Sequence, residues 1–271
     1  MPGIKFHKMV ASGNDFVIVD NRDDIVKNPK AFAAEICKPH VGIGADGVLF
    51  IEKSNEADFF MRIINADGSE AEACGNGYRC IGLYANKHLN IPNPKFVRVG
   101  TAGGPIEINV ESPQAIKVKM IEPTEYRERV DIKLASTSLQ GAFINTGVPH
   151  VVIFAENLDQ ISVIELGREI RHHKMFAPRG TNVNFVQITG KNSLSIRTYE
   201  RGVEGETLAC GTGTAAAAIV ASFMGRLKVP VVAVPKSGEP LKVYFEQNGN
   251  RVKNVFLEGP AKFVYEGRLL S

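Results

Sequence analysis

What the chain has little of narrows the field first. Its 271 residues include only four cysteines, and the net charge is only +3. A charge that small, with no Lys/Arg cluster interleaved with aromatics, argues against a nucleic-acid partner. The densest basic run, Arg171-His-His-Lys174, reads as a solvated helix end, because neighbouring helical positions point in different directions and make poor metal partners. No stretch reaches membrane-spanning length, and Met1–Val10 lacks the apolar core of an export signal. Cysteines in such a chain are expected to be reduced thiols, and the expected location is cytoplasmic. The spacing of Cys74 and Cys80 fits no common zinc site. The remaining composition is that of a globular protein with room for two domains.

What is present centres on Glu206-Thr-Leu-Ala-Cys210-Gly-Thr-Gly-Thr-Ala-Ala-Ala-Ala-Ile-Val-Ala-Ser-Phe-Met224. The run after the glycines is apolar on every face, which predicts a buried helix with Cys210 at its N-terminus. Orphan N–H groups and the helix dipole favour anions there and should draw a thiol pKa toward neutrality. The same pattern occurs earlier as Glu70-Ala-Glu-Ala-Cys74-Gly-Asn-Gly-Tyr-Arg-Cys-Ile-Gly-Leu-Tyr. Both read Glu-x-x-Ala-Cys-Gly-x-Gly, with the cysteines half a chain apart. At the same offset Asn14–Val19 falls on His150–Ala155, and Ala45–Phe50 on Thr181–Val186. Arg62–Asn65 falls within one residue of Arg197–Glu200. A constant offset over four stretches indicates a duplicated half.

In chain order, Phe16–Val19 predicts a strand, Asn28-Pro29 a helix start with its end before Pro39, and Val48–Ile51 and Phe59–Ile64 two strands. The helix after Cys74 should run to about Leu89. Cys37 and Cys80 read as core residues. Alternation at Ile106–Val110 and Ile116–Met120 predicts a hairpin, and the charged stretch from Glu122 through Lys133 reads as the crossing between halves. In the second half, strands are expected at Ala142–Asn145, Val151–Phe154, Asn182–Ile188 and Leu194–Tyr199, a helix at Ile161–His173, and an antiparallel ending around Asn248-Gly-Asn250. A last strand at Lys262–Tyr265 is expected to return to the first half. The expected domains are therefore 1–121 with 262–271, and 122–261.

Two thiols at matched helix starts admit four roles, beside which stands a binding module that gives them none. The compartment disfavours a disulfide, and a metal site needs more ligands than the pair supplies. A thiol hydrolase would pair Cys210 with His150 and leave Cys74 unexplained. A clamp that binds an amino acid without turning it over has no use for a matched acid and base. The reading that employs both thiols is inversion of a carbon: one removes a proton, the other delivers one to the opposite face. The pairs Gly75-Asn76 and Gly211-Thr212 would offer N–H groups to a carboxylate where charge develops, and His150 and Glu200 are candidate neighbours for thiol tuning.

Taken together, Gly13-Asn14-Asp-Phe-Val-Ile-Val-Asp20, Asn65-Ala-Asp-Gly-Ser-Glu70, Ala73-Cys-Gly-Asn-Gly77, Gly147-Val-Pro-His150, Tyr199-Glu-Arg-Gly202 and Glu206–Gly213 resemble the diaminopimelate epimerase family across the chain. The cysteine–glycine–threonine–glycine piece alone also resembles proline racemases. The resemblance implies an α/β (α+β) fold of two pseudo-symmetric domains, each a curved mixed or antiparallel sheet wrapped around a central buried helix, with substrate in a cleft. It implies cofactor-free, PLP-independent interconversion of LL- and meso-diaminopimelate, on the route to lysine and peptidoglycan precursors, with no metal. It implies Cys74 and Cys210 as the acid/base pair, His150 and Glu200 as pKa-tuning residues, and Asn14, Asn65, Gly75, Asn76, Asn182, Glu200, Arg201, Gly211 and Thr212 as substrate-binding residues. Arg201 suits a bidentate grip on the distal carboxylate. A homodimer is implied, through the region of Tyr265. Some members carry Gln where Gly47 stands and Asn where Val148 stands, so those side-chain contacts are missing here.

Overall fold

The computed structural model describes residues 3–270; the outermost residues of the expected domains, 1–2 and 271, lie outside the described residues. The chain divides into two compact units. One runs to Val118 and resumes at Gly259; the other is Lys119–Glu258.

The first unit contains β1 (Lys5–Ala11), β2 (Asn14–Asp20), α1 (Pro29–Ile36), β3 (Gly47–Glu52), β4 (Phe59–Asn65), β5 (Glu70–Ala71), α2 (Gly75–His88), β6 (Phe96–Gly100), β7 (Ile106–Ser112) and β8 (Ala115–Lys119). Its central strands are covered on both faces, and the period-two geometry of a strand sorts their side chains. Phe16, Ile18, Leu49 and Ile51 pack in the cluster around α2, whereas Val17, Val19, Val48 and Phe50 pack in the cluster with α1. Every residue of α2 from Asn76 to Ala85 is buried, so the strands surround this helix. Asn28 caps α1 by accepting from Ala31 N, with Pro29 opening the helix.

The second unit contains β9 (Thr124–Lys133), β10 (Ser138–Asn145), β11 (Pro149–Phe154), α3 (Val163–Arg171), β12 (Asn182–Ile188), β13 (Ser193–Glu200), β14 (Gly205–Thr207), α4 (Gly211–Phe223), β15 (Val231–Val234), β16 (Leu241–Asn248) and β17 (Arg251–Gly259). Val152 and Val186 pack around α4, Val151 and Phe185 around α3. Helix α4 is buried without interruption from Gly213 to Ala221. Its alanines combine the best helix propensity with the smallest side chain, which lets strands approach from every side. The final strand, β18 (Lys262–Arg268), pairs antiparallel with β1 of the first unit.

The repeat extends to topology. β2 and β3 are parallel, as are β11 and β12. β4 and β6 are parallel, as are β13 and β15. The antiparallel pair β18–β1 has its counterpart in β9–β10. This is a mixed α/β fold of two repeated halves, each with a central buried helix.

Three expectations change. The charged stretch read as a crossing is largely the ten-residue strand β9. Only Val130 and Ile132 are buried within it, and charges on its other positions suit a sheet edge that must not recruit another strand. The helix expected from Ile161 to His173 is α3, Val163–Arg171, bounded by its caps Ser162 and His172 and preceded by a 3-10 turn at Leu158–Gln160. Strand β1 escaped the sequence reading because it carries His7 and Lys8, which are buried all the same.

Candidate active site

Each repeat delivers a cysteine to the N-cap of its central helix. Cys74 is extended (φ −152°, ψ 107°), as an N-cap requires, and its Sγ accepts from Gly77 N at 3.4 Å. The approach to each cap is anchored by the glutamate that begins the motif. Glu206 is bonded by Arg197 at 2.7 Å and by Lys236 at 2.8 Å; in the other unit Arg62 lies 3.7 Å from Glu70. The repeated Glu thus belongs to the scaffold of the turn.

Around Cys74, Asn14 is the hub. Its Oδ1 accepts from Cys74 Sγ at 3.6 Å and from Asn76 Nδ2 at 3.4 Å, while its Nδ2 donates to Asp46. Asp46 also accepts from Asp15 N, and Asp15 pairs with the buried Lys8 at 2.6 Å. On the other side Asn76 Oδ1 accepts from Arg79, whose guanidinium is wholly buried and also bonds Ser12 Oγ at 2.8 Å and Pro260 O at 3.2 Å. A permanent cation therefore lies beneath the first turn of α2. Asn65, at the end of β4, donates to Ser69 Oγ and closes the Asn65–Ser69 turn. A Cβ on Gly75 would meet nothing within 4 Å, so space is open beside its backbone.

Around Cys210 the same positions hold different chemistry. The repeat places His150 where the first unit has Asn14, and Thr212 where it has Asn76. His150 Nε2 lies 3.0 Å from Thr212 Oγ1, and Thr212 Oγ1 lies 3.4 Å from Cys210 Sγ. Thr146 Oγ1 donates to Thr212 O, tying the loop before His150 to the first turn of α4. His150 therefore reaches the thiol through Thr212. Burial, reinforced by the charge of Arg201, drops the His150 pKa to about 3, so the ring is neutral.

The expectation that a helix N-terminus draws this thiol toward neutrality does not hold for Cys210. Burial pushes it up to about 12, and the negative charge of Glu200 adds to the rise; the Thr212 hydroxyl and the N–H groups of Gly213 and Thr212 oppose it without prevailing. No full capping bond to Sγ forms at this helix, unlike the Gly77 N bond to Cys74. Burial also raises the carboxyl of Glu200, against the pull of Thr207 and Cys210 beside it. In this structure Cys210 keeps its proton.

Asn182 is committed within the protein: Nδ2 donates to Pro149 O at 3.1 Å and Oδ1 accepts from Arg201 N at 2.8 Å. It sets the backbone from which the Arg201 side chain projects. Gly47 is compelled by packing, since a Cβ there would lie 2.7 Å from Ile64 O in the β3–β4 pair. Gly211 has Leu257 at 3.1 Å from its Cβ direction. Cys37 and Cys80 are core residues, and burial pushes the Cys37 thiol up to about 11.

Two residues were missed by the sequence reading. Arg79 gave a signal in being a lone charge on the buried stretch of α2. Asn184, wholly buried on β12, donates to His150 Nδ1 at 3.1 Å and to Val151 O at 3.0 Å, and accepts from Thr198 Oγ1 at 3.0 Å. Its signal was its spacing of two from Asn182, which puts two amides on one face of a strand.

Comparison with known proteins shows the family and the fold. The family model for diaminopimelate epimerase matches residues 6–125 and 142–264. A diaminopimelate epimerase of Hydrogenobaculum sp. is 44% identical, with 97% of each chain covered, and one of Aquifex aeolicus is 42% identical, with 98% of each covered. Among solved structures, a phenazine biosynthesis protein of the PhzF family from Bacillus anthracis superposes with a TM-score of 0.76 at 16% identity over the whole of both chains. A probable proline racemase from Agrobacterium radiobacter reaches 0.69 at 12% identity, covering 98% of this chain and 93% of that one. At such identities these structures share the fold alone. The near-complete matches at far higher identity, on a repeat that caps each central helix with a cysteine, mean that the chain belongs to the diaminopimelate epimerase family.

Proposed function

We propose that the protein interconverts LL- and meso-2,6-diaminopimelate without PLP, as a step toward lysine and peptidoglycan precursors. The observation that carries the reading is the matched pair of cysteine N-caps, in a chain related over nearly its full length to diaminopimelate epimerases. One thiolate takes the α-proton of the substrate while the other thiol protonates the opposite face, so the mechanism requires both sulfurs to address one carbon. Which sulfur begins as base depends on the isomer bound. Without a cofactor, the carbanion is stabilised through its carboxylate, and the N–H groups of Gly75, Asn76, Gly211 and Thr212 are assigned to it. Asn14 and Asn65 are assigned to the substrate's polar groups, and Arg201, held by Asn182, to its distal carboxylate. Burial raises the proton affinity of Cys210 most, and Glu200 directly and His150 through Thr212 are assigned to tune it.

The thiol pair works only when reduced, which suits a cytoplasmic setting. A second copy of the chain is assigned to β18, where Val264 and Tyr265 expose apolar surface on the strand.

The test is proton NMR of LL-diaminopimelate with the purified protein in deuterated water, reduced and without added cofactor. Loss of an α-proton signal with appearance of the meso isomer is expected. Absence of exchange would overturn the reading.

A further inference from the structure

The residues behind Cys210 form a directed chain of hydrogen bonds. Asn184 Nδ2 donates to both Val151 O and His150 Nδ1, and its Oδ1 accepts from Thr198 Oγ1. A carbonyl accepts only, so the bond to Val151 O establishes which end of the amide carries hydrogen, and the Thr198 hydroxyl bonds the other end. The amide therefore presents a donor to Nδ1, which makes Nδ1 the acceptor and leaves the ring proton on Nε2. Nε2–H then donates to Thr212 Oγ1, and the Thr212 hydroxyl proton is left to point at Cys210 Sγ. Gly213 belongs to the same device: a Cβ there would lie 2.4 Å from Asn184 Oδ1, so its absence lets the first turn of α4 rest on this amide.

We propose that Asn184 is a positioning residue that holds neutral His150 in the Nε2–H tautomer and, through Thr212, aims a hydroxyl proton at the Cys210 sulfur. That donor stabilises the sulfur when it is a thiolate, which it becomes after giving its proton to the substrate or before taking one. With the opposite tautomer, Nε2 accepts the Thr212 proton and the sulfur loses its donor. In the first unit Asn14, at the position matching His150, contacts Cys74 directly. The kinetic arm of the proposal rests on the epimerase reading; the tautomer arm does not.

The experiment uses the full-length protein labelled with nitrogen-15 at histidine, with His150 assigned by comparison with His150→Gln. In the wild type, His150 Nδ1 should show the shift of an unprotonated ring nitrogen and Nε2 that of a protonated one. Asn184→Asp replaces the donor with an acceptor and should move the proton to Nδ1. The same variant should lower kcat about 10- to 100-fold, the usual worth of one hydrogen bond to a charged group, with KM changed less than about twofold. Thr212→Val should lower kcat alone, and adding Asn184→Asp to it should lower it little further, because the two act in series. An Nδ1–H tautomer in the wild type refutes the proposal, even if the variant fails to fold. Strictly additive losses in the double variant also refute it. A wild type with the Nε2–H tautomer and no turnover of diaminopimelate overturns the substrate reading and leaves the tautomer assignment standing.

Discussion

Lowering the pH should destabilise this protein through His150, and the size of the effect follows from its burial. The ring is wholly enclosed and its pKa lies at about 3, against about 6.5 in an unfolded chain. Between those values the unfolded state binds a proton at this position that the native state refuses. Stability is therefore lost as pH falls from about 6.5 toward 3, at about 1.4 kcal/mol for each unit. From pH 7 to pH 5 the loss assigned to His150 is about 2 kcal/mol. His150→Gln retains a neutral side chain able to accept from Asn184 and to donate to Thr212, but has no proton to bind. Its free energy of unfolding at pH 7 will be somewhat lower, and its decline toward pH 5 shallower by about 2 kcal/mol. Urea titrations of both proteins at the two pH values measure this difference. Other groups, His7 and His88 among them, contribute equally to both and cancel. Equal declines in the two proteins would show that His150 gains a proton in the native state and that the enclosed network has been misread.

Cys74→Ala and Cys210→Ala should each reduce epimerisation by about 100-fold or more, the usual scale for loss of a proton-transfer group, while circular dichroism and unfolding midpoints stay near wild type; an active variant of either kind would disprove the two-base mechanism. Because Cys210 holds its proton to about pH 12 in this structure, iodoacetamide at pH 8 should modify it more slowly than an exposed cysteine, as peptide mass spectrometry would resolve, and rapid labelling would contradict its burial. Arg79→Met removes the guanidinium that bonds Asn76, Ser12 and Pro260. With those acceptors left in the interior, it should cost about 2–4 kcal/mol and lower activity through the displaced Asn76; a stable, fully active variant would mean that this cation supports nothing. Gly213→Ala drives a methyl group into Asn184 Oδ1 and should cost about 1–3 kcal/mol, whereas Gly75→Ala, with open space before it, should leave stability nearly unchanged in the same denaturant assay.

The elements that were legible are those whose signal is local. The uniformly apolar Ala215–Ala221 announced an enclosed helix, Asn28-Pro29 announced the start of α1, and Asn248-Gly-Asn250 announced the hairpin between β16 and β17. Strand β9 was not legible, because eight of its ten residues are polar or aromatic and only its pairing with β10 makes it a strand. His7 and Lys8 concealed β1 for a related reason: each is buried with a partner outside the strand, Asp15 for Lys8 and, from the far end of the chain, Glu266 at 3.0 Å for His7.

By itself the sequence determined the repeat, the two cysteines at its helix starts and the family, since each rests on residue identity at fixed spacing. Tertiary structure alone decided what those cysteines experience. The parallel register of β11 and β12 brings Asn184 behind His150, the close approach of α4 puts Thr212 before it, and Arg79 finds Ser12 and Pro260 only once α2 is enclosed. Even the direction of the Cys210 shift reversed, because the helix N-terminus is visible in a string of letters while the loss of water around the sulfur, the larger effect here, exists only in the folded interior.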